Sequence, residues 1–415
     1  MTDEAAAIWA DGMRVARMLE EAGHRAYLVG GCVRDRLLGR PLKDADIATS
    51  AQPRQVMKLF PDAIPTGLKY GTVSVRMNGR LYEVTTFRSE AGYSDGRHPD
   101  RVEFVGDIRE DLARRDFTIN AMAAGTDGEI LDPFGGRRDL EAGVIRCVGR
   151  AEERFAEDAL RMLRGIRFAA ELGFRLAPSV WKAILRQRER LRMVAVERVT
   201  AELDRMTAGS DPDRAWALLV RSGLAASLNV TLPVPDLEGL RTVRLAAVAE
   251  AELRWPLLWI AGGAGEGAAE EAARALRVSR ARGERWKGAV GVHRRFEMAL
   301  TSLERAEEAR ETWIDAVIDL GRSAAEDWLA LSEGLLSVPR EASGQAARWL
   351  QEMPVCSIRD LAVDGSDLTR HLRRPRGPWV GRLLRRLLAE TAAGRAPNER
   401  EALLALADRL AGEEG

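Results

Sequence analysis

Tyr27-Leu28-Val29-Gly30-Gly31 and, thirteen residues further on, Asp44-Ala45-Asp46-Ile47-Ala48 are the stretch on which the reading of this chain turns. In an extended segment residues two apart share a face, so Asp44 and Asp46 project together while Ala45 and Ile47 turn toward a core. Like charges side by side repel, and packing rarely rewards them. A divalent cation such as Mg²⁺ does, because it binds through one or two carboxylates together with substrate phosphates. Asp44 and Asp46 are therefore candidate metal ligands of a phosphoryl or nucleotidyl transfer site. Asp-x-Asp is also common in surface turns, so the pair takes its meaning from its neighbours.

The apolar run Tyr27-Leu28-Val29 has the character of a strand and stops at Gly30-Gly31. Cys32-Val33-Arg34-Asp35-Arg36-Leu37-Leu38 then has the spacing of an amphipathic helix. A strand that ends in two glycines and opens a helix exposes backbone N–H groups to an anion, and a triphosphate suits that place. Gly31, with Arg34 and Arg36 one turn into the helix, favours phosphate. The plainer alternative is a tight turn in which the glycines only satisfy φ > 0 and the arginines are solvated.

Residues 72–77 alternate toward Asn78-Gly79, the pair that a type I′ turn demands, and residues 80–87 lead away from it, which predicts a hairpin. On the return strand Tyr82-Glu83-Val84 sets one acid between two large apolar residues. Glu83 either joins the face of the Asp pair from an adjacent strand or looks out to solvent.

Further on, Arg114 and Arg115 stand before Asp116 and an apolar stretch over 117–124. Two guanidiniums beside an acid suit a fork gripping ribose and phosphate, or a surface ion-pair cluster. Across 152–172, Phe155, Ala159, Met162, Ile166 and Ala169 recur at a four-three spacing that predicts one buried helical stripe. Asp158 and Arg161 fall one turn apart on it, where an ordinary helix ion pair is worth on the order of 0.3 kcal/mol.

Taken in order, Gly30-Gly31-x-Val33-Arg34-Asp35, Asp44-x-Asp46, Arg114-Arg115-Asp116-Phe117-Thr118-Ile119-Asn120-Ala121, Asp132-Pro133-Phe134-Gly135-Gly136 and Glu157-Asp158-x-x-Arg161 resemble the motifs of the bacterial class II tRNA nucleotidyltransferase and poly(A) polymerase family. They cover roughly the first two fifths of the chain. The rest resembles the family in length and helical character, with Gly365-Ser366-Asp367-Leu368, Gly377-Pro378-Trp379-Val380-Gly381 and Asn398 similar to its tail.

The resemblance implies an α/β (α+β) nucleotidyltransferase head with a small mixed or antiparallel sheet, followed by an all-α C-terminal region. It divides the chain into head (1–145, the catalytic palm), neck (146–205, base recognition), body (206–330) and tail (331–415, tRNA binding). It implies two Mg²⁺ ions on Asp44 and Asp46, with Glu83 as helper, for attack of a tRNA 3′-hydroxyl on the α-phosphorus of ATP or CTP. Gly31 and Arg34 would hold the triphosphate and Arg115 ribose or phosphate. Asp158 and Arg161 would read the base edge, a carboxylate accepting from the exocyclic amine that cytosine and adenine share. Arg164 and Arg167 match further nucleotide and phosphate contacts.

Within the family, members that add only CC lack a loop that residues 89–107 fill here, including Tyr93-Ser94-Asp95-Gly96-Arg97-His98-Pro99-Asp100. Poly(A) polymerases usually carry a Gly-Arg-Arg-Phe-like segment after the Asp pair and a basic tail. This chain has Thr66-Gly67-Leu68-Lys69-Tyr70-Gly71 and ends Glu413-Glu414-Gly415. Full CCA addition is thus the leading expectation and addition of the terminal A alone the alternative. A non-catalytic RNA-binding relative would not need Asp44, Asp46, Arg115, Asp158 and Arg161.

Composition sets the frame. Of 415 residues 46% are hydrophobic, ample for several cores, and Lys plus Arg equals Asp plus Glu at 63 each, so no general affinity for polyanions follows. Basic character for RNA must be local, with arginine-rich 186–192, 280–295 and 373–386 as candidate patches or plain solvated helix faces. Three scattered cysteines and four histidines show no zinc spacing; with no signal peptide and no long apolar run, a reducing cytoplasm is expected, with no membrane and no obligate protein partner. Strand-like runs at 26–30, 44–48, 72–77, 80–87, 101–105 and 118–131 give way after about 145 to Ala-, Leu-, Arg- and Glu-rich helices. Ten tryptophans, nine of them beyond residue 180, read as helix-packing core.

Overall fold

In the computed structural model, which describes residues 3–91, 101–300 and 306–412, Asn78 and Gly79 take φ of 48° and 81° and close the expected hairpin. Its strands are β4 (Thr72–Met77) and β5 (Arg80–Thr86), the centre of one arm of a seven-stranded sheet. With β1 (Ala26–Val29), β2 (Asp46–Thr49), β3 (Ile64–Gly67), β8 (Ala123–Ala124) and β9 (Ile130–Leu131), the order is β3-β4-β5-β2-β1-β8-β9. The β2–β5 pair is parallel and its neighbours are antiparallel, so the sheet is mixed, as expected. β6 (Arg88–Ala91) and β7 (Arg101–Phe104) form a separate antiparallel pair. Residues 92–100, which include the Tyr93–Asp100 segment of the loop singled out above, lie outside the described residues.

Both faces of the central strands are covered. Leu28 and Ile47 pair across β1 and β2 beneath helix α1 (Asp3–Glu21). The helix comes close at Gly12, where a Cβ would sit 3.2 Å from that of Ala45 and 3.3 Å from Leu28 Cδ2. On the opposite face Val29, Ala48, Phe87, Leu112, Ala121 and Ala123 form an apolar cluster. Residue Asp46 belongs to this second face, at the point where its apolar cover ends.

Residues 118–131 are not one strand. They form a 3₁₀ turn (Thr118–Asn120), then the two-residue strands β8 and β9 around Gly128, whose φ is 87°. The reason is chemical: buried Thr118 and Asn120 turn their side chains to Asp139 and Asp116, a demand that a flat strand would leave unmet.

Helices α2 (Gly31–Leu37), α3 (Pro53–Leu59), α4 (Ile108–Ala113) and α5 (Gly136–Glu141) surround the sheet, and α6 (Ala151–Glu157), α7 (Leu160–Glu171), α8 (Pro178–Gln187), α9 (Val196–Ala208) and α10 (Pro212–Arg221) follow it. Strand β10 (Val144–Ile145) pairs in parallel with β11 (Arg175–Leu176), so a trace of strand persists where only helices are expected. All of this lies in one compact unit, Met1–Asn229; the second is Val230–Gly415. The unit boundary falls inside the segment 206–330.

The second unit is built on α11 (Arg254–Ala261), α12 (Glu266–Ala275), α13 (Arg280–Leu300), α14 (Ala306–Leu320), α15 (Arg322–Ser332), α16 (Arg340–Glu352), α17 (Gly365–His371), α18 (Pro378–Ala392) and α19 (Arg400–Gly412). Its tryptophans are core: Trp255 stacks on Trp286 at 5.3 Å between centroids, and Trp313 meets Trp328 at 5.4 Å. Arginines of the 280–295 run are largely tied to acids, Arg282 to Glu252 and Arg285 to Asp327 among them. Among the described residues no helix is long and apolar enough to cross a membrane.

Candidate active site

The alternation read from sequence holds at the Asp pair: Ala45 and Ile47 are buried while Asp44 and Asp46 are exposed. Asp44 lies just before β2 and Asp46 opens it. Because β2 and β5 run parallel with Ile47 opposite Val84, one step back along both strands sets Asp46 beside Glu83 on the same face. Asp46 reaches solvent but has protein around most of its carboxylate. That burial, and then the charges of Asp44 and Glu83, push its carboxyl up to about 6, against the pull of Arg115. Cys32, at the start of α2, feels the same acids. Burial first and Asp46 next raise its thiol to about 12, and its Sγ donates to the Val29 carbonyl at 3.2 Å.

A cluster of hard oxygen donors whose negative charges crowd one another suits a divalent cation. Among the described residues no three His, Cys, Asp or Glu side chains are gathered closely enough to bind one ion together. Asp44 and Asp46 would thus supply two protein ligands, with Glu83 alongside, and leave the remaining positions to phosphate and water.

The glycine turn has a steric purpose. Gly30 takes φ 75°, and a Cβ there would fall 2.7 Å from Arg115 Nη1. The Arg115 guanidinium therefore lies across the turn, donating from Nη1 to the Asn120 carbonyl at 3.3 Å and from Nη2 to Asp111 at 3.5 Å. Its Nε is buried and has no partner among the described residues.

Arg34, 9% exposed, is held more firmly. It donates to both Asp35 oxygens at 3.0 and 2.8 Å and from Nη1 to Asn120 Oδ1 at 2.7 Å. Asn120 passes the link on, donating to Asp116 at 3.2 Å, and Asp116 accepts from Arg164 Nε at 2.8 Å. Burial alone would raise the Asp116 carboxyl; the Arg164 and Arg161 guanidiniums, with hydrogen bonds from Arg164 and Asn120, outweigh it and hold it at about 2. Around the Phe168 ring stand three cations, Arg34, Arg164 and Arg167, at 5.1, 5.3 and 4.2 Å. Arg167 also donates to Glu202 at 2.6 Å and Glu171 at 2.8 Å.

The single helix expected over 152–172 is broken. Its stripe residues are buried as predicted, but α6 ends at Glu157, Asp158 is extended at φ −145° and ψ 104°, and α7 starts at Leu160. Asp158 and Arg161 therefore do not form a helix ion pair. Asp158 Oδ1 accepts from the Leu160 amide at 3.0 Å, and Arg198 grips both its oxygens at 3.3 and 2.7 Å. Arg161 instead donates to Glu157 at 2.7 Å and to the carbonyls of Arg114 at 3.0 Å and Arg154 at 3.4 Å.

Three neighbouring groups result: Asp44, Asp46, Glu83 and Arg115 over the glycine turn; Arg34, Arg164 and Arg167 around Phe168; and Asp158 with Arg161 at the α6–α7 break. Sequence reasoning did not single out Phe168, Arg198 or Glu202, nor the linking role of Asn120. For Glu202 a sign existed: it falls on the apolar stripe Val199, Leu203 and Met206 of α9, where an acid needs a buried partner.

Three family models match the chain: the poly A polymerase head domain over residues 26–146, the probable RNA and SrmB-binding site of polymerase A over 173–235, and a putative tRNA nucleotidyltransferase domain 2 over 250–407. The chain is 38% identical over 416 residues to the CCA-adding enzyme of Geobacillus stearothermophilus, with 95% of each covered. It is 36% identical to that of Lactobacillus delbrueckii, covering 95% of this chain and 96% of the relative. Among solved structures, the Bacillus stearothermophilus CCA-adding enzyme in complex with CTP superposes with a TM-score of 0.81 over 98% of both chains at 36% identity.

Proposed function

Since the chain belongs to the bacterial tRNA nucleotidyltransferase and poly(A) polymerase family, and is a nucleotidyltransferase, we propose that it builds and repairs the 3′-terminal CCA of tRNA from CTP and ATP without a nucleic-acid template. The observation that carries this reading is the placing of Glu83 beside Asp46 in the parallel register of β2 and β5, with Asp44 close enough to raise the Asp46 carboxyl, in a chain similar over 95% of its length to a CCA-adding enzyme. The site of action is the cytoplasm, where tRNA is found.

Asp44 and Asp46 would hold divalent cations, two Mg²⁺ in this reading, with Glu83 as helper. When bound, such ions acidify the attacking 3′-hydroxyl and neutralise charge on the reacting phosphates. Gly31 and Arg34 hold the triphosphate, Arg34 as a charge fixed by Asp35 and Asn120. Arg115 binds ribose or phosphate from its place across the glycine turn. Arg164 and Arg167 make further nucleotide and phosphate contacts, as guanidiniums fixed in place by Asp116 and by Glu202 and Glu171.

Base choice falls to Asp158 and Arg161, and their hydrogen bonds support the assignment. Asp158 has about four acceptor sites and uses three, two on Oδ1 and one on Oδ2, so one site on Oδ2 remains for an exocyclic amine. Arg161 has five N–H donors and uses three, leaving Nε and one on Nη2. One acceptor and two donors match the amine, ring nitrogen and carbonyl of cytosine; the amine and ring nitrogen of adenine use one of each. Uracil and guanine present a ring N–H where a donor already points. We retain the division into head, neck, body and tail, with catalysis in 1–145 and base choice in 146–205.

The test is incorporation of labelled CTP and ATP, with Mg²⁺, into tRNA ending at the discriminator base or in CC. The expected products are C, C and then A on the first and A on the second, with UTP and GTP poorly used. No incorporation on either end removes the proposal. Addition of A to the CC-ended tRNA, with C never incorporated, replaces it with A-only addition.

A further inference from the structure

Away from the carboxylates, at the far end of α7, Phe174, Trp181, Leu218, Arg175, Arg214 and Arg221 line an open cavity of about 270 Å³ within the first unit. Arg214 is fixed in its wall, donating to the Phe174 carbonyl at 2.6 Å. Arg175 and Arg221 are exposed, and among the described residues neither is paired with an acid. In this they differ from Arg34, Arg161, Arg167 and Arg198 of the same unit, each of which is held by an acid.

We propose that this cavity, framed by Arg175, Trp181 and Arg221, holds one unstacked nucleotide of the RNA substrate, its base against Trp181 and Phe174 and its phosphate between the two free guanidiniums. The inference rests on the tRNA reading above and adds a subsite to it. Aromatic faces beside unpaired arginines match a base and a phosphate, since stacking accepts any base and guanidinium binds phosphate oxygens two at a time. The cavity is smaller than the roughly 300–1,000 Å³ of drug-sized ligand pockets, a size that suits a single base. Its lining falls entirely within residues 173–235, the span matched by the second family model.

The experiment measures the Kd of tRNA lacking its 3′ end at several salt concentrations, for the intact chain, for Arg175→Gln with Arg221→Gln, and for Trp181→Leu. Steady-state KM for CTP is measured in parallel. Loss of the two charges that face this phosphate should raise Kd about tenfold and flatten the slope of log Kd against log salt by about 0.7, the value for one single-strand phosphate. Trp181→Leu should raise Kd about fivefold with the slope unchanged, because stacking releases no counterions. KM for CTP and kcat at saturating tRNA should match the intact chain in both variants. Wild-type Kd and slope in the double variant would overturn the subsite, leaving this face to a protein partner or to solvent. A raised KM for CTP with unchanged tRNA binding would overturn it in favour of free nucleotide. Failure of the intact chain itself to bind tRNA would instead refute the tRNA reading on which the subsite depends.

Discussion

Arg198 donates both terminal nitrogens to the carboxylate of Asp158, at 2.7 and 3.3 Å, across 40 residues of sequence. The acid proposed to read the base is thereby fixed in rotation, with a single lone pair left to offer. Arg198→Ala should loosen that carboxylate without touching the reacting atoms. We expect discrimination of CTP and ATP over UTP and GTP, compared as kcat/KM, to fall at least about tenfold, the worth of one charge-assisted hydrogen bond. A merely structural role would lower all four nucleotides equally and lower the melting temperature with them.

Asp44→Ala and Asp46→Ala should each abolish transfer and leave the fold intact, because both side chains are exposed and neither packs in the core. Retention of more than about a tenth of wild-type turnover at saturating Mg²⁺ would contradict their role as ligands. Circular dichroism and melting curves provide the control for folding.

Glu202 is 1% exposed and receives Arg167 at 2.6 Å and Arg205 at 3.2 Å. Glu202→Gln removes the more buried of the two acids that hold Arg167 and leaves Glu171, and a cost of about 2 kcal/mol in urea unfolding is expected. Pairing it with Arg167→Met should recover part of that loss. Equal stability of Glu202→Gln and the native chain would show that the charge is compensated elsewhere.

His293 supplies a pH dependence in the second unit. It is buried, accepts at Nδ1 from Trp328 Nε1 at 3.3 Å, and burial pushes its pKa down from 6.5 to about 4, against the opposing charge of Glu297. The unfolded chain then binds a proton that the folded chain refuses, so stability is complete above 6.5 and falls as pH drops from 6.5 to 4, by on the order of 3 kcal/mol. Asp116, held at about 2, loses its contribution only below the ordinary 3.8, so the two effects separate on the pH axis. His293→Gln should flatten the upper window alone, as read by urea midpoints between pH 4 and 7.

Features set by neighbours in the chain were legible in the sequence. Alternation turned Ala45 and Ile47 inward and Asp44 and Asp46 outward; Asn78-Gly79 dictated the hairpin; the four-three spacing from Phe155 to Ala169 marked the buried stripe. These depend on the pleat, on positive φ and on the helical period, all local properties of the backbone.

Tertiary structure decided the rest. Glu83 stands beside Asp46 only because β2 and β5 pair in parallel, a register that no periodicity encodes. The helix stops at Asp158, whose side chain accepts from the Leu160 amide and from Arg198, two contacts that a continuous helix would not allow it. Arg161 consequently turns to Glu157 rather than to the acid one turn before it. The physical cause is the same throughout: a charged side chain takes whichever partner the fold brings within about 3 Å, and sequence spacing reports only the partners that lie along its own helix or strand.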